Sequence, residues 1–172
     1  MALGLFCRKG FEEATFDDLA AAAGVSRSTF LRYFGTKEDV VLGALDPLGD
    51  RKADALRARP ADEDDWTALR RTVDPDIEYF SRDPADSLVL LRLTQTTPAL
   101  CSRLREKQAS WRPGLVKILT ARATDSTLLA SHVRVAAALD CLNIALEHWV
   151  ATDGRIPLAT ITDEAFAALT TP

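Results

Sequence analysis

Arg27, Ser28, Thr29 and Arg32 stand together in VSRSTFLRY, a polar run between small apolar residues and a cluster of aromatics. An arginine guanidinium presents paired donors that match the acceptors on the guanine edge, and serine and threonine hydroxyls reach base edges or phosphate. That chemistry is recognition rather than catalysis. No Ser/His/Asp arrangement, glycine-rich phosphate loop or facing pair of carboxylates emerges elsewhere, which argues against an enzyme. His132 and His148 have no companion ligand at helical spacing. Cys7, Cys101 and Cys141 are odd in number and far apart, so they read as small hydrophobes rather than as a metal or disulfide set. No metal or cofactor is implied.

For those side chains to act together they must share one helix face. The 172-residue chain, with net charge −4, shows no strand-like alternation; alanine and leucine recur at helical spacing throughout. The expectation is an all-α protein. The N-terminus lacks the order of a signal peptide, and Asp140, Asn143, Glu147 and His148 interrupt the longest apolar region, so a cytoplasmic chain without a membrane span is expected. Acids outnumber bases within the first 45 residues, so contact with nucleic acid must come from local arrangement rather than gross charge.

The helix boundaries are written in local chemistry. Gly10 ends a first short helix, and Thr15 with Asp18 caps a second that Gly24 stops. Ser26 caps a third, ended by Gly35, and Thr36 with Asp39 caps a fourth that Pro47 breaks. A helix starts near Trp66, others follow Asp83-Pro84 and Thr97-Pro98, Asp125 or Ser126 opens a long one to Ala151, and Thr162 to Leu169 forms the last. Residues 1–45 thus form a small unit and 46–172 a larger one. In the small unit Leu19, Ala20, Ala23, Phe30 and Phe34 face inward, Val25 plugs the corner, and Arg27, Ser28, Leu31 and Arg32 face outward with Thr29 at the edge. This is a helix-turn-helix, whose second helix fits the major groove.

The segment GFEEATFDDLAAAAGVSRSTFLRYFGTKEDVV resembles the DNA-binding segment of the tetracycline-repressor (TetR) family over about residues 3 to 45, with Gly10-Phe11, Thr15, Leu19-Ala20, Gly24-Val25-Ser26, Thr29-Phe30, Tyr33-Phe34 and Lys37 in register. The resemblance implies a two-fold dimer on a double-stranded operator. It makes Arg27, Ser28, Thr29 and Arg32 candidates for base contacts, and Tyr33, Lys37 and Thr15 candidates for phosphate. Relatives usually carry a basic tail before this point and an aromatic hydroxyl where Leu31 stands, while Asp17 and Asp18 bring negative charge towards the DNA face.

In the larger unit, Trp66, Leu69, Val73, Ile77 and Phe80 form one apolar stripe bent at Pro75, and Leu100, Leu104, Trp111, Leu115 and Ile118 another with a kink at Pro113. Stripes at this spacing are core in most proteins, but proline kinks bow helices apart and leave room for a cavity. The run TLLASHVRVAAALDCLNIALEHWVA is apolar nearly all round and needs cover on both sides. A second copy packed on Val133, Ala136, Ala137, Asp140, Ile144, Glu147 and Phe166 provides it about a two-fold axis; the alternative is a central helix of a monomer. LLRLTQTTPAL, Gln108 with Trp111, and ALDCLNIALEHW are similar to the effector domain of mycofactocin-regulator-like members. That similarity implies a small hydrophobic or acyl-type effector, with Phe80, Leu91, Thr94, Trp111 and Trp149 as candidate lining. The expected function is a dimeric, ligand-responsive regulator, most simply a repressor. The alternative is a ligand-binding or dimerisation module that has lost DNA binding.

Overall fold

The computed structural model describes residues 2–122 and 127–170, and every regular element among them is helical. The head comprises α1 (Ala2–Lys9), α2 (Phe16–Ala22), α3 (Arg27–Tyr33) and α4 (Lys37–Leu42). The 3-10 turn Gly43–Leu45 leads into the body, formed by α5 (Pro47–Arg57), α6 (Asp65–Thr72), α7 (Asp74–Arg82), α8 (Pro84–Thr96), α9 (Pro98–Arg122), α10 (Leu128–Ala151) and α11 (Leu158–Ala167).

Short helices of six to eight residues cannot hold themselves in water, so the head rests on caps and a small core. Thr15, Ser26 and Thr36 each accept a backbone N–H in the first turn of their helix. Gly10 and Gly24 take positive φ values of 88° and 70° where the chain reverses. Phe6, Phe11, Leu19, Ala20, Phe30 and Leu42 are buried behind them, with the Phe6 and Phe11 rings 5.1 Å apart. Phe34 is only half-buried, and α3 ends before it in an extended residue rather than at Gly35. Ala23 and Val25 are exposed, contrary to expectation: the glycine turn leaves that corner open.

Proline placement shapes the body. Pro47, Pro75, Pro84 and Pro98 sit in the first turns of their helices, where their missing N–H costs nothing. The stripe from Trp66 to Phe80 is therefore divided between α6 and α7, whereas Pro113 lies inside the continuous α9. The start expected for α10 at Asp125 or Ser126 lies outside the described residues; Thr127 caps that helix. α11 begins at Leu158, earlier than expected, and the Thr162 hydroxyl donates to Leu158 O within it (2.8 Å). Helix α10 is central: Val135, Leu139, Leu142, Leu146 and Trp149 bury its inner face against α6, α8, α9 and α11. By length and composition it is apolar enough to cross a membrane; this buried face is that of a core helix.

The head meets the body where α4 lies on α9 and α1 on α8, and α5, the first helix of the body, lies on α7 and α9. Lys52 is completely buried there, its Nζ 2.6 Å from Asp76 Oδ1 and 4.1 Å from the centroid of the Trp111 ring. Asp76 Oδ2 has no hydrogen-bond partner. Burial pulls the Lys52 ammonium below its usual range and pushes the Asp76 carboxyl above its own, while their mutual attraction opposes both shifts. Trp111 lies on Gly49, where an added Cβ would come within 2.4 Å of the indole ring. Lys52→Met alone strands a buried carboxyl and should lower unfolding stability in urea by about 3–5 kcal/mol. Adding Asp76→Leu should restore most of that loss. Gly49→Ala should cost about 1–3 kcal/mol in the same measurement, because Trp111 must leave its seat.

Candidate nucleic-acid interface and cavity

The outer surface of the head is organised by the turn at Gly24. Val25 N–H returns to Ala20 O (3.1 Å), which swings α3 away from α2. Ser26 Oγ accepts the Thr29 N–H (3.1 Å) and donates to Thr29 Oγ1 (2.9 Å), so the half-buried Thr29 hydroxyl is already engaged. Arg27, Ser28, Leu31, Arg32 and Tyr33 are exposed on one continuous face, with the Arg32 guanidinium 5.3 Å from the Tyr33 ring centroid.

The remaining candidates on the head have structural partners. Thr15 is exposed and forms a capping box with Asp18: its Oγ1 accepts Asp18 N–H, and Asp18 Oδ2 accepts Thr15 N–H (2.8 Å). Lys9 Nζ also reaches Asp18 Oδ2 (2.5 Å). The Lys9 ammonium, followed by the Thr15 hydrogen bonds, holds the Asp18 carboxyl well below the usual carboxylate range. Asp18 is thus a neutralised cap, not a free charge facing DNA. Asp17 Oδ1 lies 3.7 Å from Arg27 Nε, and both side chains are exposed. Lys37 Nζ donates to Phe11 O (2.9 Å) and Glu12 O (3.0 Å), tying the start of α4 to the chain after α1.

A cavity of about 590 Å³ opens between α8, α9 and α10, within the usual size range for small-ligand sites. Leu91 and Thr94 line it, together with Gln95, Cys101, Leu104, Ala109 and Leu146. Arg105 and Arg112 stand on its α9 side, and Asp140, Ile144 and Glu147 on its α10 side. Gln108 and Asn143 join the two walls as a reciprocal amide pair, with Gln108 Nε2 donating to Asn143 Oδ1 at 2.6 Å and Asn143 Nδ2 to Gln108 Oε1 at 3.3 Å. Phe80, Trp111 and Trp149 lie elsewhere. Phe80 and Trp149 are each 3% exposed within the core, and Trp111 faces α5. The polar lining residues were missed because a residue's helical position gives its face but not its neighbour. The step from Cys101 through Arg105 and Gln108 to Arg112 was the signal that could have found them.

Helix α9 has a second face. Arg103 reaches Asp39 Oδ1 (3.2 Å), Lys107 pairs with Asp46, and Trp111 covers Gly49. These residues recur every fourth position, so one helix lines the cavity with one stripe and grips α4 and α5 with another.

On the outside of α10, Val133 and Ile144 are 60% and 51% exposed, Ala136 and Ala137 are half-buried, and Asp140 and Glu147 are exposed. Phe166 is not on this surface. Its ring stacks 4.9 Å from Trp66, whose Nε1 donates to Phe166 O (3.2 Å), and it belongs to the core of its own chain.

Comparison with known proteins gives this geometry its context. Residues 1–44 match the family of bacterial regulatory proteins described as the tetR family, and residues 63–172 match the MftR C-terminal domain. The HTH-type transcriptional regulator TcmR of Streptomyces glaucescens is 31% identical over 129 residues, covering 70% of this chain and 56% of that one. The HTH-type transcriptional regulator EthR of Mycolicibacterium smegmatis is 32% identical over 118 residues, covering 66% and 53%. The match thus spans little more than half the length of these two relatives. Among solved structures, the regulator FadR from Bacillus subtilis in complex with stearoyl-CoA superposes with a TM-score of 0.67 at 16% identity, covering 99% of this chain and 94% of that one. The chain belongs to the tetR family of bacterial regulatory proteins, with a C-terminal domain of the MftR type.

Proposed function

We propose that this protein is a ligand-responsive, DNA-binding transcriptional repressor that acts as a homodimer in the cytoplasm. The head through residue 45 reads the operator, and the remainder from residue 46 holds the effector and the dimer face. The observation that carries this reading is the exposed face of α3, where Arg27, Ser28 and Arg32 stand free of the core beyond a glycine turn. A helix presented in this way enters the major groove by its N-terminal end, and two heads on a two-fold axis meet successive grooves roughly 34–36 Å apart. Arg27 and Arg32 then serve base edges, Ser28 and Thr29 base or phosphate, and Tyr33 phosphate. Thr15 and Lys37 act mainly by fixing helix ends beside the backbone.

The dimer face is the outer stripe of α10, with Val133, Ala136, Ala137, Asp140, Ile144 and Glu147. The effector is a small amphipathic molecule of acyl type, its apolar part on Leu91, Leu104 and Leu146 and an anionic end towards Arg105. The presence of stearoyl-CoA in the FadR of similar fold supports this class. A ligand seated there presses on the wall of α9 that carries Arg105 and Gln108. The opposite stripe of the same helix holds α4 and α5, so the spacing of the heads shifts with it. Operator affinity falls only by the ligand's differential affinity for the two arrangements.

Fluorescence anisotropy with labelled duplexes from the protein's own upstream region, across a salt series, tests the reading. Wild type should select one duplex, with affinity falling as salt rises. Arg27→Ala should lose about 1–3 kcal/mol and relax selection at one base pair. Failure of wild type to discriminate between duplexes would favour a module without DNA binding. In the same assay a long-chain acyl-CoA should release the wild type from its duplex. Ala109→Trp, which places an indole in the cavity, should keep DNA affinity and lose the response; release of this variant by the same acyl-CoA would remove the cavity from the mechanism.

A further inference from the structure

A separate cavity of about 240 Å³ lies where the head meets the body, between α1, the end of α7 and the first turns of α8. It is smaller than the roughly 300–1,000 Å³ of drug-sized sites and shares no residue with the cavity between α8, α9 and α10. Leu3 of α1 and Leu90 of α8 give it apolar walls. Its polar groups are unengaged. Ser87 is 7% exposed, and its hydroxyl makes no hydrogen bond among the described residues. The buried hydroxyls of Thr72, Thr94 and Thr162, by contrast, each return to the carbonyl four residues before. The hydroxyl of the half-buried Tyr79 is likewise without a partner among the described residues. Burial holds this phenol above its usual range against the pull of the Arg82 guanidinium nearby, so it remains an O–H donor.

Arg82 and Asp86 also line this crevice, both are exposed, and neither has a charged partner among the described residues. They are four apart in sequence, yet no ion pair joins them. The break at Asp83 (φ −135°, ψ 87°) ends α7 and caps α8, where Asp83 Oδ1 accepts the Asp86 N–H (3.2 Å). The crevice thus sets donors for a carboxylate, Arg82 and Tyr79, opposite acceptors for an ammonium, Asp86 with the other oxygen of Asp83 and the Ser87 hydroxyl. An anion alone would meet two carboxylates against one guanidinium, and a cation alone would meet Arg82. A molecule with both charges satisfies both sets.

We propose that this crevice binds a free amino acid with an apolar side chain, and that its occupancy bears on the placement of the head. The carboxylate of the amino acid lies on Arg82 and Tyr79, its ammonium on Asp86 and Ser87, and its side chain between Leu3 and Leu90. The main contacts of the head with the body are α1 on α8 and α4 on α9. The amino acid occupies the first of these joints, with Leu3 of the head on one side and α7 and α8 of the body on the other. A ligand that prefers one placement of the head changes operator affinity by the same factor by which the operator changes its own. That regulatory step rests on the operator-binding reading above; the site itself does not.

The test is isothermal titration calorimetry of the full chain with L-leucine at neutral pH, beside isocaproate, which lacks the ammonium, and isoamylamine, which lacks the carboxylate. Wild type should bind L-leucine, and bind either analogue about 10-fold or more weakly, the effect of losing one charge-assisted hydrogen bond. Arg82→Gln and Asp86→Asn should each weaken L-leucine binding by a similar factor while folding as wild type by circular dichroism, since both side chains are exposed. Ala109→Trp, which fills the larger cavity, should bind L-leucine as wild type does. No binding to wild type, equal binding of either analogue, or undiminished binding by Arg82→Gln would each overturn the amino-acid site. Loss of binding in Ala109→Trp would assign the ligand to the larger cavity and overturn it as well. In the anisotropy assay, L-leucine should shift the operator affinity of wild type about 5-fold or more, within the ordinary range of coupling between sites, and leave that of Arg82→Gln unmoved. L-leucine bound without such a shift would overturn the regulatory step and leave the site standing. A wild type that selects no operator would overturn the DNA-binding reading, and calorimetry would still decide the site.

Discussion

The seat of Trp111 on the bare backbone of Gly49 is the contact on which the placement of α5, the helix that follows the head, depends. It works because the glycine has no Cβ to hold the indole away, and because the Lys52 ammonium, from the same helix, lies over the indole ring with Asp76 as its counter-ion. A buried ion pair of this kind adds little net stability over an apolar substitute. Its effect is on specificity: the pair ties α5 to α7, so that misplacing either leaves a charge unpaired in the core, and the Trp111 ring on Gly49 and Lys52 ties α5 to α9. The register of α5 on α9 is fixed in this way, and the position of the head follows from the register of α5.

Recognition by the head is a local matter. Its acids exceed its bases, yet three of its aspartates have partners. Asp18 is consumed as a cap and paired to Lys9, Asp39 meets Arg103 of α9, and Asp17 lies beside Arg27. The exposed side chains of α3 are cationic, hydroxylic, aromatic or, at Leu31, aliphatic, and none is acidic. On the DNA-binding function proposed above, a head built in this way gains little from long-range attraction and relies on close fit, so selection among sequences matters more to it than non-specific hold.

Where the chemistry was local, the chain could be read directly. Thr15, Ser26, Thr36 and Asp83 cap because an oxygen two or three residues before a helical N–H finds it without help from the rest of the fold. The last helix starts at Leu158 rather than at Thr162, whose hydroxyl turns back to Leu158 O inside a helix already begun after a proline with no side-chain cap. Fold class and the helix-turn-helix were legible because they rest on spacing. The body resisted because spacing tells which residues share a face but not what the face meets. Trp111 and Arg112 are neighbours in the chain, yet one is the joint to α5 and the other the rim of the cavity. Phe166 and Val133 looked alike as interface residues, and Trp66, a hundred residues earlier, takes Phe166 into the core.

The coupling proposed for α9 needs one point that holds and another that yields, and the helix has contacts of both kinds. Arg103 with Asp39 and Lys107 with Asp46 are pairs with at least one partner well exposed; such pairs are worth about 0.2–1 kcal/mol and re-form readily with new partners. Trp111 on Gly49 is packed without spare volume, and close-packed contacts resist small displacements far more steeply than ion pairs do. Pressure from the cavity on Arg105 and Gln108, between these two ends, therefore finds a stiff pivot towards the C-terminal side and a compliant grip towards the N-terminal side. The compliant end is the one that holds α4. In the mechanism proposed above, a small rotation about Trp111 moves the head while the core of the body keeps its packing.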